Sequence, residues 1–451
     1  MSRKFKTVDY EATLLTSVRL DQCLPVNHLA RFIVEIIQVL DFSELEKQYG
    51  NRGGMPYHPK MLLAILVYAY TQGIFSSRKI EQATLDTAAF RYLAGNDKPD
   101  HDTIANFRKT FLPELKNLFT QVLLLAQEMG LLKLGNVSLD GSKIHADASR
   151  SKAVSHKRLL QIEVKLKKEI EELFALAEQA DHSALPEGMS LPFELQLRNQ
   201  RLQKLAEAKT VLEERAKERF VIEQAEYEEK MRLRAENETK TGKKPRGKPL
   251  QPPSSEPNDG DQYNFTDPDS RIMKENGGGF NQDYNAQIAV DQGTNLIVGF
   301  SLSNHPNDQN EIQPTLDNMS IGLGKPSAIA CDTGYFSAAN IELLDRQNID
   351  PFIAPKRESH YLSLSERFGP LGEPPGEDAT PSVKMAYKLR TTLGRAIYGL
   401  RKSTVEPVFG QIKAIMGFRQ FSLRGIGSAT DEWCLVCLAL NMRRIHVLSG
   451  C

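Results

Sequence analysis

The chain has 451 residues, enough for about three domains of ordinary size and at least one substantial hydrophobic core. Its 57 basic and 57 acidic residues give a net charge of zero, which excludes a polycation that attracts nucleic acid through its overall charge. A surface for a polyanion must therefore come from basic residues that are segregated locally. The five cysteines are odd in number and widely scattered, which predicts reduced thiols in a cytoplasmic protein.

The first part of the chain, residues 1–134, has the pattern of an all-helical domain. Apolar residues recur at spacings of three and four, and DTIANFRKTFLPELKNLFTQVLLLAQEMGLL predicts a long last helix with Asp102 as its N-cap. The apolar run MLLAILVYAY is about half as long as a membrane span, so we expect a buried core helix and no membrane partner. DNA contact by this domain is left open by a group of basic and polar residues: Arg78, Lys79, Arg91, His101, Asn106, Arg108 and Lys109.

Residues 151–280 have the composition of an insertion. Two segments of dense alternating charge carry apolar residues at helical spacing, which predicts a hairpin of two long helices joined around Pro186 to Pro192. The segment TKTGKKPRGKPLQPPSSEPNDGDQ follows them and is rich in Pro, Gly, Lys and Ser, which predicts a disordered linker. We interpret the charged helix faces as solvated and assign no ligand to them.

The remaining segments, residues 135–150 and 281–424, predict an α/β domain. NVSLD is a short strand that ends at Asp140, and YNAQIAVDQGTNLIVGFSLS is a pair of strands around the turn from Asp291 to Gly293. A helix, the strand SAIACD, a helix capped by Ser337, the strand DPFIAP and a basic helix follow. This order predicts a mixed sheet of three antiparallel strands and then parallel β-α units. Residues 425–451 predict a C-terminal helix packed on this core.

Two aspartates occupy strand ends in this domain. Asp332 follows one apolar strand and Asp140 ends another, and sites in open α/β sheets form at the carboxyl ends of strands. If the two strands are neighbours, a helix across that edge could add Glu406 to the pair. Three close carboxylates repel one another unless cations lie between them, and oxygen ligands of this kind suit Mg²⁺ or Mn²⁺.

Glu406 is the one acid in a basic segment. Between Lys384 and Arg424 there are nine Lys or Arg residues and no other Asp or Glu. A structural explanation is available, because Ser403 and Glu406 have the spacing of a capping box at a helix start, with Pro407 in the first turn. Structural explanations exist for the aspartates too, since each is followed by residues typical of a turn.

Three segments of the chain resemble the motifs of bacterial insertion-sequence DDE transposases: VSLDGSKIHADAS, IACDTGYFSAANIELL and RKSTVEPVFGQIKAIMGFRQFSLRG. GMPYHPKMLLAILVYAY and PDHDTIANFRKTF resemble the helical N-terminal domain of one branch, so the resemblance spans nearly the whole chain. It implies an RNase H-like catalytic domain, interrupted by the insertion. It also implies that Asp140, Asp332 and Glu406 are the catalytic acids and the metal ligands.

The resemblance implies metal-dependent phosphoryl transfer on double-stranded DNA. Two Mg²⁺ or Mn²⁺ ions would serve cleavage at the terminal inverted repeats and strand transfer into target DNA. The protein would act in the bacterial cytoplasm, at the nucleoid, as a homodimer or larger assembly on DNA. Related transposases have a Tyr, Arg, Glu, Lys signature around the third acid. In this sequence Glu406 and Lys413 keep its spacing, but the basic residue four positions before Glu406 is Lys402 and Tyr398 is one position off the pattern. The DNA-binding residues implied here are Tyr398, Arg401, Lys402, Lys413 and Arg419.

Two other functions stay open at this point. A catalytically silent relative of these transposases would bind DNA as a regulator and never cleave it. An aspartic protease would use Asp332, because IACDTGYF matches a hydrophobic-Asp-Thr-Gly pattern in which two aspartates share a proton. The protease alternative leaves the basic helix around Glu406 unexplained.

Overall fold

The computed structural model describes residues 19–49, 56–179, 189–241, 250–275, 277–356, 369 and 371–450. They belong to two compact units, of which unit 1 is drawn from residues 1–145 and 284–451 and unit 2 from residues 146–283. The strands of the described residues are β1 (Asn136–His145), β2 (Ala153–Ser155), β3 (Gln262–Asn264), β4 (Arg271–Lys274), β5 (Phe280–Asp291), β6 (Ile297–Ser303), β7 (Ala328–Cys331) and β8 (Asp350–Ile353).

The described residues before β1 are helical, as predicted. Their α-helices are α1 (Leu29–Val39), α2 (Ser43–Lys47), α3 (Pro59–Thr71), α4 (Ser77–Asp86), α5 (Ala88–Leu93), α6 (His101–Phe111) and α7 (Leu115–Glu128). The apolar run lies in α3, whose residues from Leu62 to Thr71 are all buried, so the prediction of a core helix is confirmed. Among the described residues, no helix has the length and apolar character needed to cross a bilayer.

The last helix of this region differs from the prediction in two ways. A short 3₁₀ segment at Leu112–Glu114 divides it into α6 and α7, because Pro113 cannot donate a backbone hydrogen bond and its ring clashes with the preceding turn. The expected cap at Asp102 is also wrong. Asp100 caps α6 instead, since its Oδ1 accepts a hydrogen bond of 2.6 Å from the backbone N–H of Thr103.

A mixed sheet forms the α/β part of unit 1. β1 pairs with β7 in parallel, β7 pairs with β8 in parallel, and β5 pairs with β6 antiparallel. Backbone hydrogen bonds join Asn136 to Gln292 and Ala146 to Gln282 at opposite ends, so β1 and β5 are antiparallel. The predicted order of three antiparallel strands followed by parallel β-α units is therefore found, and the helical N-terminal region with this mixed sheet fits an RNase H-like fold.

The described α-helices of unit 1 that follow β6 are α10 (Ile312–Asp317), α11 (Ala338–Arg346), α12 (Pro381–Arg390), α13 (Thr392–Gly410) and α14 (Ile426–Leu448). Ser337 caps α11 as predicted, with its Oγ accepting a 3.0 Å hydrogen bond from Asn340 N–H. In α14, Trp433, Cys434 and Cys437 are buried. Burial raises the pKa of both thiols, which agrees with core cysteines.

Unit 2 contains the two long helices α8 (His156–Gln179) and α9 (Leu191–Thr241). They share an apolar core that includes Leu159 and Leu166 of α8 with Leu205 and Leu212 of α9, which confirms the packing expected of a hairpin. The predicted connection around Pro186 falls largely outside the described residues. In the same unit, β2 pairs with β3, and β4 pairs with the first residues of β5.

The predicted disordered linker is ordered in its second half. Residues 242–249 lie outside the described residues, but Asp261 Oδ1 accepts a 3.0 Å hydrogen bond from Arg219 of α9. Asp259 pairs with Lys157 of α8 at 3.3 Å. The prediction of disorder is therefore wrong for these residues, because the linker carries carboxylates that pair with cations of the two helices.

Candidate active site

Asp140 and Asp332 lie on neighbouring strands. The parallel pairing of β1 with β7 places Leu139 opposite Cys331, so the next residue in each strand direction is one of the two aspartates. Asp332 follows β7 directly, as predicted, and its Oδ1 accepts a 2.8 Å hydrogen bond from Gly334 N–H in the turn that begins there. The two carboxylates meet at one edge of the sheet.

The sequence predicts that a strand ends at Asp140, and this prediction is wrong. β1 continues to His145, so the alternative of a turn at Asp140 and Gly141 is wrong as well. Gly141 is the reason that polar side chains can approach the strand here. A Cβ atom on Gly141 would lie 2.8 Å from Oδ1 of Asp308 and would also collide with the amide of Gln287.

Arg401 of α13 reaches Asp140 across this edge. Its Nη1 donates to Asp140 Oδ2 at 3.1 Å, and its side chain is 9% exposed against 20% for Asp140. Burial acts to lower the pKa of Arg401, but Asp140, Tyr398, Asp332 and Glu406 outweigh it and the pKa is raised. The sequence predicts a DNA contact for Arg401. The structure instead turns it inward, because its position on α13 faces the sheet and a buried carboxylate.

The carboxyl group of Asp140 has an unusual proton affinity. Burial raises its pKa to about 6, against the attraction of Arg401, and the neighbouring charges of Asp332 and Asp308 act in the same direction as burial. A carboxylate that is buried beside two others is unfavourable without added positive charge. The site therefore has the electrostatic character expected of a cation-binding centre.

Glu406 lies on an exposed position of α13. The helix begins at Thr392 with Thr391 as its cap, so the capping box of Ser403 and Glu406 is wrong and Pro407 lies inside the helix instead of in its first turn. Ser403 Oγ donates to the carbonyl of Leu400 at 3.0 Å, as is common within helices. Glu406 has no capping role that would account for it, yet it is close enough to raise the pKa of Arg401.

A polar contact fixes α13 against the sheet. Thr404 Oγ1 donates to Oγ of the buried Ser138 at 2.8 Å, two residues before Asp140 in β1. Gln292, which follows β5, donates to the same Ser138 Oγ at 3.0 Å and to the carbonyl of Ile397 at 2.9 Å. The helix that carries Arg401 and Glu406 is thus held by the strand that carries Asp140.

A fourth carboxylate, Asp308, lies at the site and could not be placed from the sequence. Its Oδ1 accepts hydrogen bonds from Asn285 at 2.7 Å and Gln287 at 2.8 Å, and Lys143 Nζ lies 3.9 Å from the same atom. A Cβ atom on Gly334 would lie 3.1 Å from Asp332 Oδ1 and 3.4 Å from Asp308 Oδ2. Asp308 therefore lies between the turn after Asp332 and the strand after Asp140.

A signal for this part of the site does exist in the sequence. Asn285 and Gln287 are two residues apart in β5, and both are fully buried although they are polar. Polar residues that alternate along a strand share one face, and buried polar groups need partners. Their partner was hidden because Asp308 comes from a loop of irregular structure, more than twenty residues later in the chain.

The other basic residues predicted to bind DNA lie on both sides of the acids. Lys402 and Arg419 are exposed, whereas Tyr398 is half-buried with Arg401 5.9 Å from its ring centroid. Lys413 belongs to a π-helical turn at Gln411–Ile415, and its Nζ donates to Ser142 Oγ at 2.6 Å and to the carbonyl of Lys143 at 2.7 Å. The change to a π-helix after Gly410 alters the helical register between Glu406 and Lys413.

The segment after the π-helical turn is joined to the end of β1. His145 N–H donates to the carbonyl of Arg419 at 3.1 Å, and Phe421 N–H donates to the carbonyl of His145 at 2.8 Å. Arg419 Nε also donates to the carbonyl of Lys413 at 3.1 Å. The exposed guanidinium of Arg419 is thus carried by a backbone that pairs with the strand of Asp140.

The side-chain chemistry of the three predicted acids suits divalent cations of the hard, oxygen-binding type. Asp140, Asp332 and Glu406 offer carboxylate oxygens, which are the ligands that Mg²⁺ and Mn²⁺ prefer, and no sulfur or imidazole ligand comes from these three positions. The proton affinity of Asp140 agrees with this fit, because a buried carboxylate among like charges gains most when a cation binds.

Two regions of the chain match family models of transposase domains. Residues 18–110 match the family model of a transposase domain (DUF772), and residues 256–442 match that of the transposase DDE domain. The second match includes Asp308, Asp332, Arg401 and Glu406. Neither a curated protein nor a solved structure matches the chain.

Proposed function

We propose that this chain, which carries the domains of a DDE transposase, cleaves DNA strands at the ends of an insertion sequence and transfers them into target DNA. The observation that supports the proposal best is the convergence of Asp140 and Asp332 from parallel neighbouring strands with Glu406 on the helix that Arg401 anchors to Asp140. The matched transposase DDE domain makes DNA the expected substrate.

In this proposal Asp140, Asp332 and Glu406 hold two divalent ions. Bound there, the ions would activate the attacking water or 3′-hydroxyl and stabilise the leaving 3′-oxygen. Arg401 keeps the carboxylate of Asp140 oriented through its hydrogen bond at Oδ2 and offsets part of the repulsion among the acids. Asp308 keeps Asn285 and Gln287 in place beside Gly141, so that the floor of the site is already arranged before DNA binds.

The basic residues around the acids have separate roles in this account. Lys402 and Arg419 are exposed and would contact phosphates of the DNA backbone. Lys413 contacts Ser142 and Lys143 in β1 and would keep the π-helical turn against the strand. Tyr398 lies beside Arg401 and would limit the movement of its guanidinium.

The test is strand cleavage of a plasmid that carries this gene with its native flanking DNA. The purified protein, Glu406→Gln and the control Glu342→Gln are incubated with Mg²⁺, Mn²⁺ or EDTA, and the ends are mapped. Glu342 is an exposed helical glutamate of the same unit, lies on α11 and pairs with Arg346, and the proposal gives it no role. We expect metal-dependent nicks at the borders of the element with the wild type and the control, and none with Glu406→Gln.

Two other outcomes would replace this function with another. Binding to the flanking DNA without cleavage in either metal would make the protein a DNA-binding regulator. Proteolysis with a dependence on Asp332 would favour the aspartic protease, although Arg401 occupies the side of Asp140 and a helix follows the Asp-Thr-Gly turn.

A further inference from the structure

Unit 2 contains a cleft with an unusual lining. It has a volume of about 580 Å³ and lies among α8, α9 and the strands β2 and β3, all within this unit. Its charged lining residues are four cations and one acid: Lys152, Arg158, Arg201, Lys204 and Glu207. Two aromatic rings complete it, Tyr263 and Phe265.

The four cations of the cleft differ from many of the basic residues around them in having no carboxylate partner among the described residues. Along α8 and α9, basic side chains pair with acids at Lys165, Lys167, Lys168, Arg198, Lys209, Arg215 and Arg219. Among the described residues, Lys152, Arg158, Arg201 and Lys204 make no ion pair, and all four are exposed. Unpaired charge of one sign in a concave site attracts a ligand of the opposite sign.

The aromatic rings give this surface a second kind of contact. Phe265 is 41% exposed, and its ring meets the ring of Tyr263 edge to face with centroids 5.3 Å apart. An exposed phenyl ring beside cations offers a face on which another flat ring can stack. Bases of single-stranded nucleic acid stack on such rings while basic groups hold the phosphates.

The floor of the cleft is rigid enough to act as a preformed site. Val154 and Leu205 line the cleft and are also buried in the core that joins α8 to α9. Val154 pairs with Tyr263 in the antiparallel β2–β3 ladder, and Phe265 N–H donates to the carbonyl of Lys152 at 3.1 Å. The ring of Phe265 and the side chain of Lys152 are therefore carried by backbone that is hydrogen-bonded together.

We propose that this cleft binds a single-stranded segment of the DNA substrate, with phosphates on the arginines and lysines and a base on Phe265. The proposal rests on the proposed function, because cleavage at DNA ends supplies strands whose bases are free to unstack. Double-stranded DNA fits the cleft less well, since the faces of its bases are covered by their neighbours in the stack. A cleft of this volume has the size of a small-ligand pocket and admits a nucleotide.

The test measures binding of the full chain to a 20-nucleotide single-stranded oligothymidine by fluorescence anisotropy over a range of salt concentrations. The cleft variant is Arg158→Gln with Arg201→Gln. The matched control is Lys165→Gln with Lys168→Gln, which removes two exposed cations of α8 that are paired with acids. We expect the cleft variant to bind at least about tenfold more weakly and the slope of log K against log salt to fall by about 1.4, at about 0.7 for each lost phosphate contact.

A second variant tests the aromatic contact without changing charge. Phe265→Leu should weaken binding by about tenfold with the salt slope unchanged, because stacking on an aromatic ring is lost while the phosphate contacts remain. With 5-iodouracil in the oligonucleotide, ultraviolet cross-links should map to Tyr263 or Phe265. Thermal melting of each variant establishes that the fold is retained.

The outcomes separate this inference from the proposed function. Equal binding by the wild type, the cleft variant and Phe265→Leu would overturn the inference even if the protein cleaves the flanking plasmid normally. Weaker binding of duplex DNA alone, with oligothymidine unaffected, would also overturn it. Loss of oligothymidine binding in the cleft variants would sustain the cleft even if no cleavage occurs and the proposed function fails.

Discussion

The acid site of unit 1 and the helix pair of unit 2 arrange their charges in opposite ways. Along α8 and α9 several bases pair with acids at the surface, as Lys168 does with Glu172, and such exposed pairs contribute little to stability. In unit 1, Asp140 lies close to the charges of Asp332 and Asp308, while Arg401 is bonded to Asp140 and Lys143 lies 3.9 Å from Asp308. Like charges held close together cost free energy, and our proposal assigns the arrangement to the binding of cations.

Removing one of the like charges of unit 1 should have the largest effect on DNA cleavage. Asp332→Asn should lower the rate of DNA cleavage by about 10³-fold or more, because a metal ligand is lost and the remaining acids cannot replace it. The measurement is single-turnover cleavage of the flanking DNA under saturating protein. Binding of that DNA should stay within a fewfold of the wild type. Full activity in Asp332→Asn would remove this residue from the site.

The next largest effect is expected at the anchoring arginine. Arg401→Gln should reduce cleavage by about 10²-fold, because Asp140 loses the hydrogen bond at Oδ2 and a cation whose charge lowers its pKa. The acidic limb of the pH–rate profile should therefore move to higher pH. Arg395→Gln, an exposed position on the same helix, is the control and should leave the profile in place. A simple loss of a DNA contact would instead raise KM at unchanged pH dependence.

Proton binding to Asp140 gives a prediction for stability without metal. Its pKa of about 6 lies above the ordinary 3.8, so its contribution is present below pH 3.8 and is lost as the pH rises through 6. In EDTA, the free energy of unfolding of the wild type relative to Asp140→Asn should therefore fall by about 3 kcal/mol between pH 3.5 and pH 8. Urea denaturation at several pH values measures it. A pH-independent difference would contradict the raised pKa.

The smallest effect is expected at a surface pair of unit 2. Lys168→Gln removes the partner of Glu172 on α8, where both side chains are well exposed. The free energy of unfolding should change by no more than about 0.5 kcal/mol, and cleavage should not change. Equilibrium unfolding and the plasmid assay check the two parts. A loss of cleavage here would show that the charged helices do more than cover their own core.

The general architecture could be predicted because its signals are local. The apolar spacing of α3, the turn at Asp291 to Gly293 and the apolar strand before Asp332 each depend on neighbouring residues, and all appear in the structure. Where a local signal failed, a contact distant in sequence had replaced it. The capping spacing of Ser403 and Glu406 was overridden by a longer helix that docks through Thr404 on Ser138.

The site itself was predictable only in part for the same reason. Asp140 and Asp332 could be predicted at strand ends, but β1 continues past Asp140, and the close approach of Asp308 and Gln287 to Gly141 has no local signal. The inward direction of Arg401 also depends on packing, because exposed and buried arginines look alike in a sequence. The position of Asp308 could not be predicted from the sequence, because this loop residue is positioned by hydrogen bonds to Asn285 and Gln287 of a distant strand.

The most direct measurement of the central claim is a metal-specificity switch at Asp332. Asp332→Cys replaces a hard oxygen ligand by a softer sulfur, and sulfur binds Mn²⁺ relatively better than Mg²⁺. Cleavage of the flanking plasmid is measured in each metal, with Asp345→Cys, an exposed position on α11, as the thiol control. Our account predicts that Asp332→Cys is inactive in Mg²⁺ and regains measurable cleavage in Mn²⁺, while the control behaves as wild type in both. Cleavage by Asp332→Cys in Mg²⁺ at the wild-type rate would contradict a metal-binding role for this carboxylate.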